Sequence, residues 1–167
     1  RTGILLWVAT HDSVIAGNTI RHQREAIRIQ ASAGGERLQG ANHVRGNTIA
    51  DCLPGGPYKN YSAFFADLGG GPLRAKDQFH GVGNVFRDND CRGAEVGVAV
   101  GASGHDRIQY PRNDTPYERS AKMGLLHTIV ENNRITGVTG TAERPNLGLA
   151  ISLSANWTLL RNNQLDR

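Results

Sequence analysis

Apolar residues recur in this chain with two periods at once. Within short runs they alternate with other residues. Ile4, Leu6 and Val8 do so near the start, and Leu149, Ile151 and Leu153 near the end. AIRIQ (Ala26–Gln30), YSAFFA (Tyr61–Ala66) and VGVAV (Val96–Val100) follow the same habit between them. Alternation is the period of a strand with one buried face, and the runs are rich in β-branched residues. No amphipathic helix of useful length is written into the chain. Over longer distances a short pattern returns five times: VIAGNTI (Val14–Ile20), HVRGNTI (His43–Ile49), VFRDNDC (Val85–Cys91), IVENNRI (Ile129–Ile135) and LLRNNQL (Leu159–Leu165).

Aligned on Asn18, Asn47, Asn89, Asn133 and Asn163, the repeats share their chemistry column by column. Three positions before the asparagine stand Ile15, Val44, Phe86, Val130 and Leu160. Two positions after it stand Ile20, Ile49, Cys91, Ile135 and Leu165. The asparagines are 29, 42, 44 and 30 residues apart. The first and last units align without a gap, Gly3–Ile20 over Gly148–Leu165. Repeats of this length predict a stack in which each unit buries the apolar face of the next. Each unit reads as strand, loop, strand, tight asparagine turn, short strand, loop. Parallel strands advance by about 4.8 Å per unit, so the asparagines fall above one another. An amide side chain both donates and accepts, so such a column can hydrogen-bond along the stack. Asparagine also tolerates the left-handed backbone that the turn is expected to need.

With this asparagine column, the chain from Gly3 to Leu165 resembles the right-handed parallel β-helix family, the pectate-lyase-like group. The resemblance implies an all-β fold: a single-stranded right-handed parallel β-helix, a solenoid of about five coils with an asparagine ladder. It also implies a polysaccharide groove along the first sheet, walled by loops on both sides. A secreted or cell-surface location follows from the family alone.

Length and composition fit one domain, residues 1–167, as a whole or as a segment of a larger protein. A hydrophobic fraction of 38% is low for a compact core but suits a narrow solenoid with long polar loops. Neither end carries an amphipathic cap, so a flanking segment or subunit is expected over at least one end. No apolar run approaches a membrane span, and no nucleic-acid module is recognisable, so neither partner is expected. The net charge is +4, and only Lys59, Lys76 and Lys122 among the basic residues are lysines. Guanidinium groups match carboxylate, sulfate or phosphate in shape, which is compatible with an acidic polymer. Cys91 occupies the apolar column of Ile20 and Ile49 and reads as a core residue; Cys52 is the other cysteine.

Four insertions interrupt the repeat, at Pro54–Asn60, Gly69–His80, Ala102–Lys122 and Gly140–Asn146. All flank the first strand of a unit, where loops on a rigid platform commonly carry function. Alternation places Leu5, Trp7, Arg28, Gln30, Gly97, Ala99, Ala150 and Ser152 outward on that platform. The third run, YSAFFAD, has no clear phase. Either Phe64 or Phe65 is expected to face outward, with Asp67 closing the strand. A lyase or epimerase acting on a uronic-acid polymer needs a cation for the sugar carboxylate, a base for the C5 proton and an acid for the leaving oxygen. The catalytic candidates are Arg28, His105, Arg107 and Lys122. Trp7, Gln30, Asp67, Lys76 and Tyr117 are the candidates for holding the sugar. Paired carboxylates for hydrolysis would come from Asp67, Asp77, Glu95, Asp106 and Asp114. The family's own catalytic signatures are absent. No cofactor is called for; calcium stays an open alternative, although no aspartate cluster is set out for it, and the six histidines show no metal spacing.

Two readings of function therefore stand. One is a carbohydrate-active β-helix that binds, and cleaves or epimerises, an acidic polysaccharide. The other is a non-catalytic structural or adhesion module of a secreted, surface or phage-tail protein. A last expectation is electrostatic. Ala16, Arg45, Arg87, Glu131 and Arg161 share a column, with Glu131 between two arginines.

Overall fold

The computed structural model of this chain describes residues 2–7, 10–30, 39–55, 62–69, 81–102, 125–126, 128–140, 151–153 and 158–166. Every described secondary-structure element is a strand. The first sheet contains β1 (Thr2–Trp7), β4 (Glu25–Gln30), β8 (Ala63–Gly69), β12 (Val96–Ala102) and β16 (Ile151–Leu153), in that order. The second contains β2 (Val14–Ala16), β6 (His43–Arg45), β10 (Val85–Arg87), β14 (Ile129–Glu131) and β17 (Leu159–Arg161). The third contains β3 (Thr19–Arg21), β7 (Thr48–Ala50), β11 (Asp90–Ala94), β15 (Arg134–Val138) and β18 (Gln164–Leu165). A small fourth sheet joins β5 (Gln39–Gly40), β9 (Gly81–Val82) and β13 (Leu125–Leu126).

All neighbouring strands are parallel. Parallel neighbours cannot be joined by a tight hairpin; the chain must leave the sheet and return. Here it leaves through the other sheets. It passes through the first, second and third sheets five times and returns to the first four times; in the three middle passes it also crosses the fourth sheet between the first and the second. The arrangement is compatible with a parallel β-helix.

The repeat motif spans the turn from the second sheet to the third, and its asparagines stack. Nδ2 of Asn18, Asn47, Asn89 and Asn133 each donates to Oδ1 of the next asparagine, at 2.9, 2.9, 3.0 and 2.9 Å. The backbone N–H of each donates to that same oxygen at 3.0–3.1 Å. The other Nδ2 proton of Asn47, Asn89, Asn133 and Asn163 reaches a backbone carbonyl one unit earlier, on Ile15, Val44, Phe86 and Val130. Buried amides are thereby satisfied on both sides, which is what keeps their burial from costing stability.

The left-handed backbone sits one residue earlier than the sequence reading placed it. Gly17, Gly46, Asp88, Asn132 and Asn162 have φ between 53° and 68°, and the ladder asparagines do not. The reason is geometric. A ladder residue must aim its side chain along the stack while its N–H points the same way, and the preceding residue absorbs the corner. A second corner uses Asp12, Ala41 and Gly83, and a third uses His22, Asp51, Gly93 and Gly137, all with positive φ. Glycine, asparagine and aspartate hold most of these positions because they tolerate that region at least cost.

A shorter ladder precedes the second sheet. Ser13, Asn42 and Asn84 stand one residue before the in-register Val14, His43 and Val85. Asn42 Nδ2 donates to Asn84 Oδ1 at 3.0 Å, and Asn42 Oδ1 accepts from the Ser13 N–H. Sequence analysis missed this column, because Ser13, Asn42, Asn84, Thr128 and Thr158 share polarity rather than identity.

The core is a column of apolar rows between the sheets. Ile15, Val44, Phe86 and Val130 enter it from the second sheet, and Ile20, Ile49, Cys91 and Ile135 from the third. Ile27, Ile29, Phe65, Val98 and Val100 enter from the first sheet, with Ile4 and Leu6 packed against them. Burying one such side chain is worth about 1.5–3 kcal/mol. Phe65 stacks on Phe86 across the interior at 4.7 Å, with ring planes 11° apart.

Contrary to the expectation from the sequence, neither Phe64 nor Phe65 faces solvent. Both are fully buried core residues, as are the consecutive pair Ala26 and Ile27. The strands break their alternation near the start with no slip in register, so that two successive residues join the core. β8 also continues past Asp67 to Gly69 instead of closing there.

Candidate functional site

Two outward surfaces of this frame carry the chemistry. On the first sheet, Leu5, Arg28, Ala66, Ala99 and Ser152 lie in one row, the parity opposite to the core rows. Trp7 and Gln30 are in register at the far end of β1 and β4. Arg28 and Trp7 therefore occupy the outward positions expected of them, but their surroundings differ sharply. Trp7 is 59% exposed, whereas Arg28 is only 8% exposed. The break in alternation brings Glu25 onto the face of Arg28. Arg28 Nη1 donates to Glu25 Oε2 at 2.9 Å and to Oε1 at 3.3 Å. Thr2 Oγ1 donates to the same carboxylate at 3.3 Å. Arg28 Nε is buried with no hydrogen-bond partner. Ala63, Val96 and Ala99 form a small apolar cluster on this outer face. The floor at Arg28 is thus a neutralised, buried ion pair, not the free guanidinium expected from the sequence.

Asp67 pairs in register with Ile29 and Val100, in the row of core positions. Glu95 accepts hydrogen bonds from the backbone N–H groups of Gly55 and Ser62 at 2.8 and 2.7 Å, a structural task. His105, Arg107, Lys122, Lys76 and Tyr117 lie outside the described residues, as do Asp77, Asp106 and Asp114. Of the nine candidates for catalysis or sugar binding, Trp7 and Arg28 are described on the outward surface of the first sheet, with Gln30 in register with Trp7.

The third sheet offers a different surface. Its outward rows are Thr19, Thr48, Asp90, Arg134 and Gln164, and then Arg21, Ala50, Arg92 and Thr136. Arg21, Arg92 and Arg134 line a depression of about 180 Å³ together with Thr48, Ile49, Ala50, Asp90 and Thr136. Arg21 and Arg92 stand two strands apart in one row, roughly 9.6 Å along the sheet, with only the methyl of Ala50 between them. Asp90 lies 3.9 Å from Arg134, both more than half exposed, and among the described residues Arg21 and Arg92 have no acidic partner within salt-bridge distance. Threonine hydroxyls and guanidinium forks together match carboxylate or sulfate oxygens. Sequence reasoning missed this site. Its residues sit one and three positions after the ladder asparagines, a column signal that was available in the repeat.

The second sheet carries the expected charge column. Glu131 pairs with Arg161, and Arg87 leans toward Asp88 at 3.7 Å. Both cysteines are free thiols. Burial, followed by the charge of Asp51, pushes Cys52 up from an ordinary 9.0 to about 12. Burial also raises Cys91 well above its ordinary value, with Cys52 and Asp90 adding to it. Neither thiol is therefore poised as a nucleophile. Among the described residues no three His, Cys, Asp or Glu side chains gather at one point to hold a metal ion.

Comparison with protein families, with curated proteins and with solved structures gives no match for this chain.

Proposed function

We propose that this chain is a right-handed parallel β-helix of the pectate-lyase-like kind that binds an acidic polysaccharide without cleaving it, as a module of a secreted or cell-surface protein. The five passes through three parallel sheets and the unbroken asparagine ladder support the fold half of this reading. One observation carries the functional half. The arginines of the third sheet line an open depression, whereas the arginine at the first-sheet floor is already neutralised by Glu25.

A uronic-acid or sulfated chain presents negative groups at regular intervals. A flat row of arginines and threonines on parallel strands presents partners at regular intervals too. Binding of this kind is electrostatic, exposed and weakened by salt. It needs no base near a sugar proton.

The test is equilibrium binding of polygalacturonate, a sulfated glycan and neutral dextran, with absorbance of unsaturated product followed in the same samples. The reading expects the two acidic polymers to bind, dextran to stay free, and binding to weaken steeply as salt rises. Arg21→Ala, Arg92→Ala and Arg134→Ala should each weaken binding by roughly 2- to 5-fold, the scale of one exposed ionic contact. Equal binding of dextran would sink the reading. So would steady release of unsaturated product, which would instead favour the lyase with His105, Arg107 and Lys122 in its working set.

A further inference from the structure

We infer that the acidic chain taken up by the third sheet lies along the stack, across the strands, and is gripped by charge at every second sugar. This rests on the binding reading above. The depression is lined by residues of β3, β7, β11 and β15, so it crosses four successive rungs and does not follow any one strand. Its lining changes chemistry from rung to rung. β3 brings Arg21, β7 brings Thr48 and Ala50, β11 brings Arg92 with Asp90, and β15 brings Thr136 with Arg134. In the row Arg21, Ala50, Arg92, Thr136 the cation therefore returns on alternate rungs, roughly 9.6 Å apart. Arg21 and Arg92 are exposed, and among the described residues neither has an acidic partner within salt-bridge distance. Arg134 stands in the other outward row, where Asp90 already answers part of its charge.

A rung of about 4.8 Å is close to the length of one sugar unit in an extended chain. A chain laid along the stack thus sets successive sugars over successive rungs. Anionic groups two sugars apart meet Arg21 and Arg92, whose planar forks match carboxylate or sulfate oxygens. The sugar between them meets the exposed Thr48, whose hydroxyl both donates to and accepts from a sugar hydroxyl. Thr136, on the rung past Arg92, donates to the Cys91 carbonyl at 3.5 Å and keeps its lone pairs for a sugar hydroxyl. The rung between the two arginines is poor ground for a charge. Ala50 is 5% exposed and offers only a methyl. Asp90 stands in register beside Thr48 on the next strand, and its carboxylate repels an anion placed there. A site selects by such repulsion as well as by attraction. The polymer class that fits carries one anionic group for every two sugars, a uronic acid alternating with an uncharged sugar.

The experiment titrates the 167-residue chain, at fixed salt, with two hexasaccharides of equal length. One is cut from hyaluronan, in which a uronic acid alternates with an uncharged sugar. The other is hexagalacturonate, with a carboxylate on every sugar. The alternating hexasaccharide should bind at least as tightly, although it carries half the charge. Ala50→Arg with Arg92→Ala keeps the net charge and moves the two cations onto neighbouring rungs. This pair of changes should shift the ranking toward hexagalacturonate by about 2- to 5-fold, the scale of one exposed ionic contact. Arg21→Ala with Thr136→Arg makes the same rearrangement without touching the buried Ala50, and should shift the ranking the same way. Circular dichroism checks that each variant keeps its strands. Tighter binding of hexagalacturonate to the unchanged protein, the outcome that charge number alone dictates, would overturn the inference. So would a ranking that both rearrangements leave in place. If both oligosaccharides bind with the wrong ranking, this inference fails alone and the binding reading stands. If neither binds, the binding reading fails and this inference goes with it.

Discussion

An internal ladder asparagine gives this chain more than its position in a turn. Asn89 is buried, donates to Asn133 and to the Val44 carbonyl, and accepts twice from Asn47. Removing it strands buried donors and acceptors on both sides. Asn89→Ala should cost about 2–3 kcal/mol, since each buried unsatisfied group costs ~1–3 kcal/mol. Asn18→Ala, at the exposed start of the ladder, should cost less than about 1 kcal/mol. Urea titrations of the two variants check the contrast; equal costs would mean the ladder is not cooperative packing but turn preference alone. Cys52 gives a pH prediction. Its thiol is held at about 12 in the fold against an ordinary 9.0, so the folded state resists ionisation that the unfolded state undergoes. The stability this contributes is complete below pH 9 and is lost as pH rises from 9 toward 12. Cys52→Val should flatten that alkaline loss in melts recorded across the range. The ladder and the Cys91 column were readable in the sequence because their residues keep identity or polarity at fixed offsets. The left-handed positions were readable too, in the Gly17, Gly46, Asp88, Asn132 and Asn162 column, but the choice between neighbouring asparagines needed backbone geometry.

At the scale of strands, the first sheet holds the main surprise. Its alternation breaks at Ala26–Ile27 and Phe64–Phe65, and that break turns Glu25 outward beside Arg28. Period two cannot phase a run such as YSAFFAD, in which neighbouring positions are all apolar, so neither the break nor the ion pair could be read beforehand. The pair is buried on both members, which makes its halves unequal to its whole. Glu25→Gln should cost about 3–5 kcal/mol, because Arg28 is left charged and buried. Glu25→Leu with Arg28→Met should be near neutral or stabilising. Thermal unfolding of the two proteins compares them directly. A mild effect of Glu25→Gln alone would show that Arg28 reaches other partners and would reopen it as a candidate for substrate. The third-sheet arginines were visible as charges but not as a site. Arg21, Arg92 and Arg134 are scattered over more than a hundred residues of sequence, and only register sets them around one depression.

For the whole molecule, stacking converts a modest apolar content into a continuous core and leaves flat outer faces for chemistry. The repeat and the strands of three sheets were legible in the sequence as far as the described residues test them, the fourth sheet was not, and the sequence pointed to the first sheet and its loops for function. The described surface instead offers free cationic groups on the third sheet, with the first-sheet arginine engaged. The central claim is that this third-sheet face takes up the acidic polymer. The most direct measurement follows the arginine Nε–H resonances by NMR while an oligogalacturonate is added. The account predicts that the signals of Arg21, Arg92 and Arg134 shift together and saturate at one concentration, while that of Arg28 stays in place. Movement of the Arg28 signal, or of the Trp7 indole, with the third-sheet arginines unchanged would contradict it.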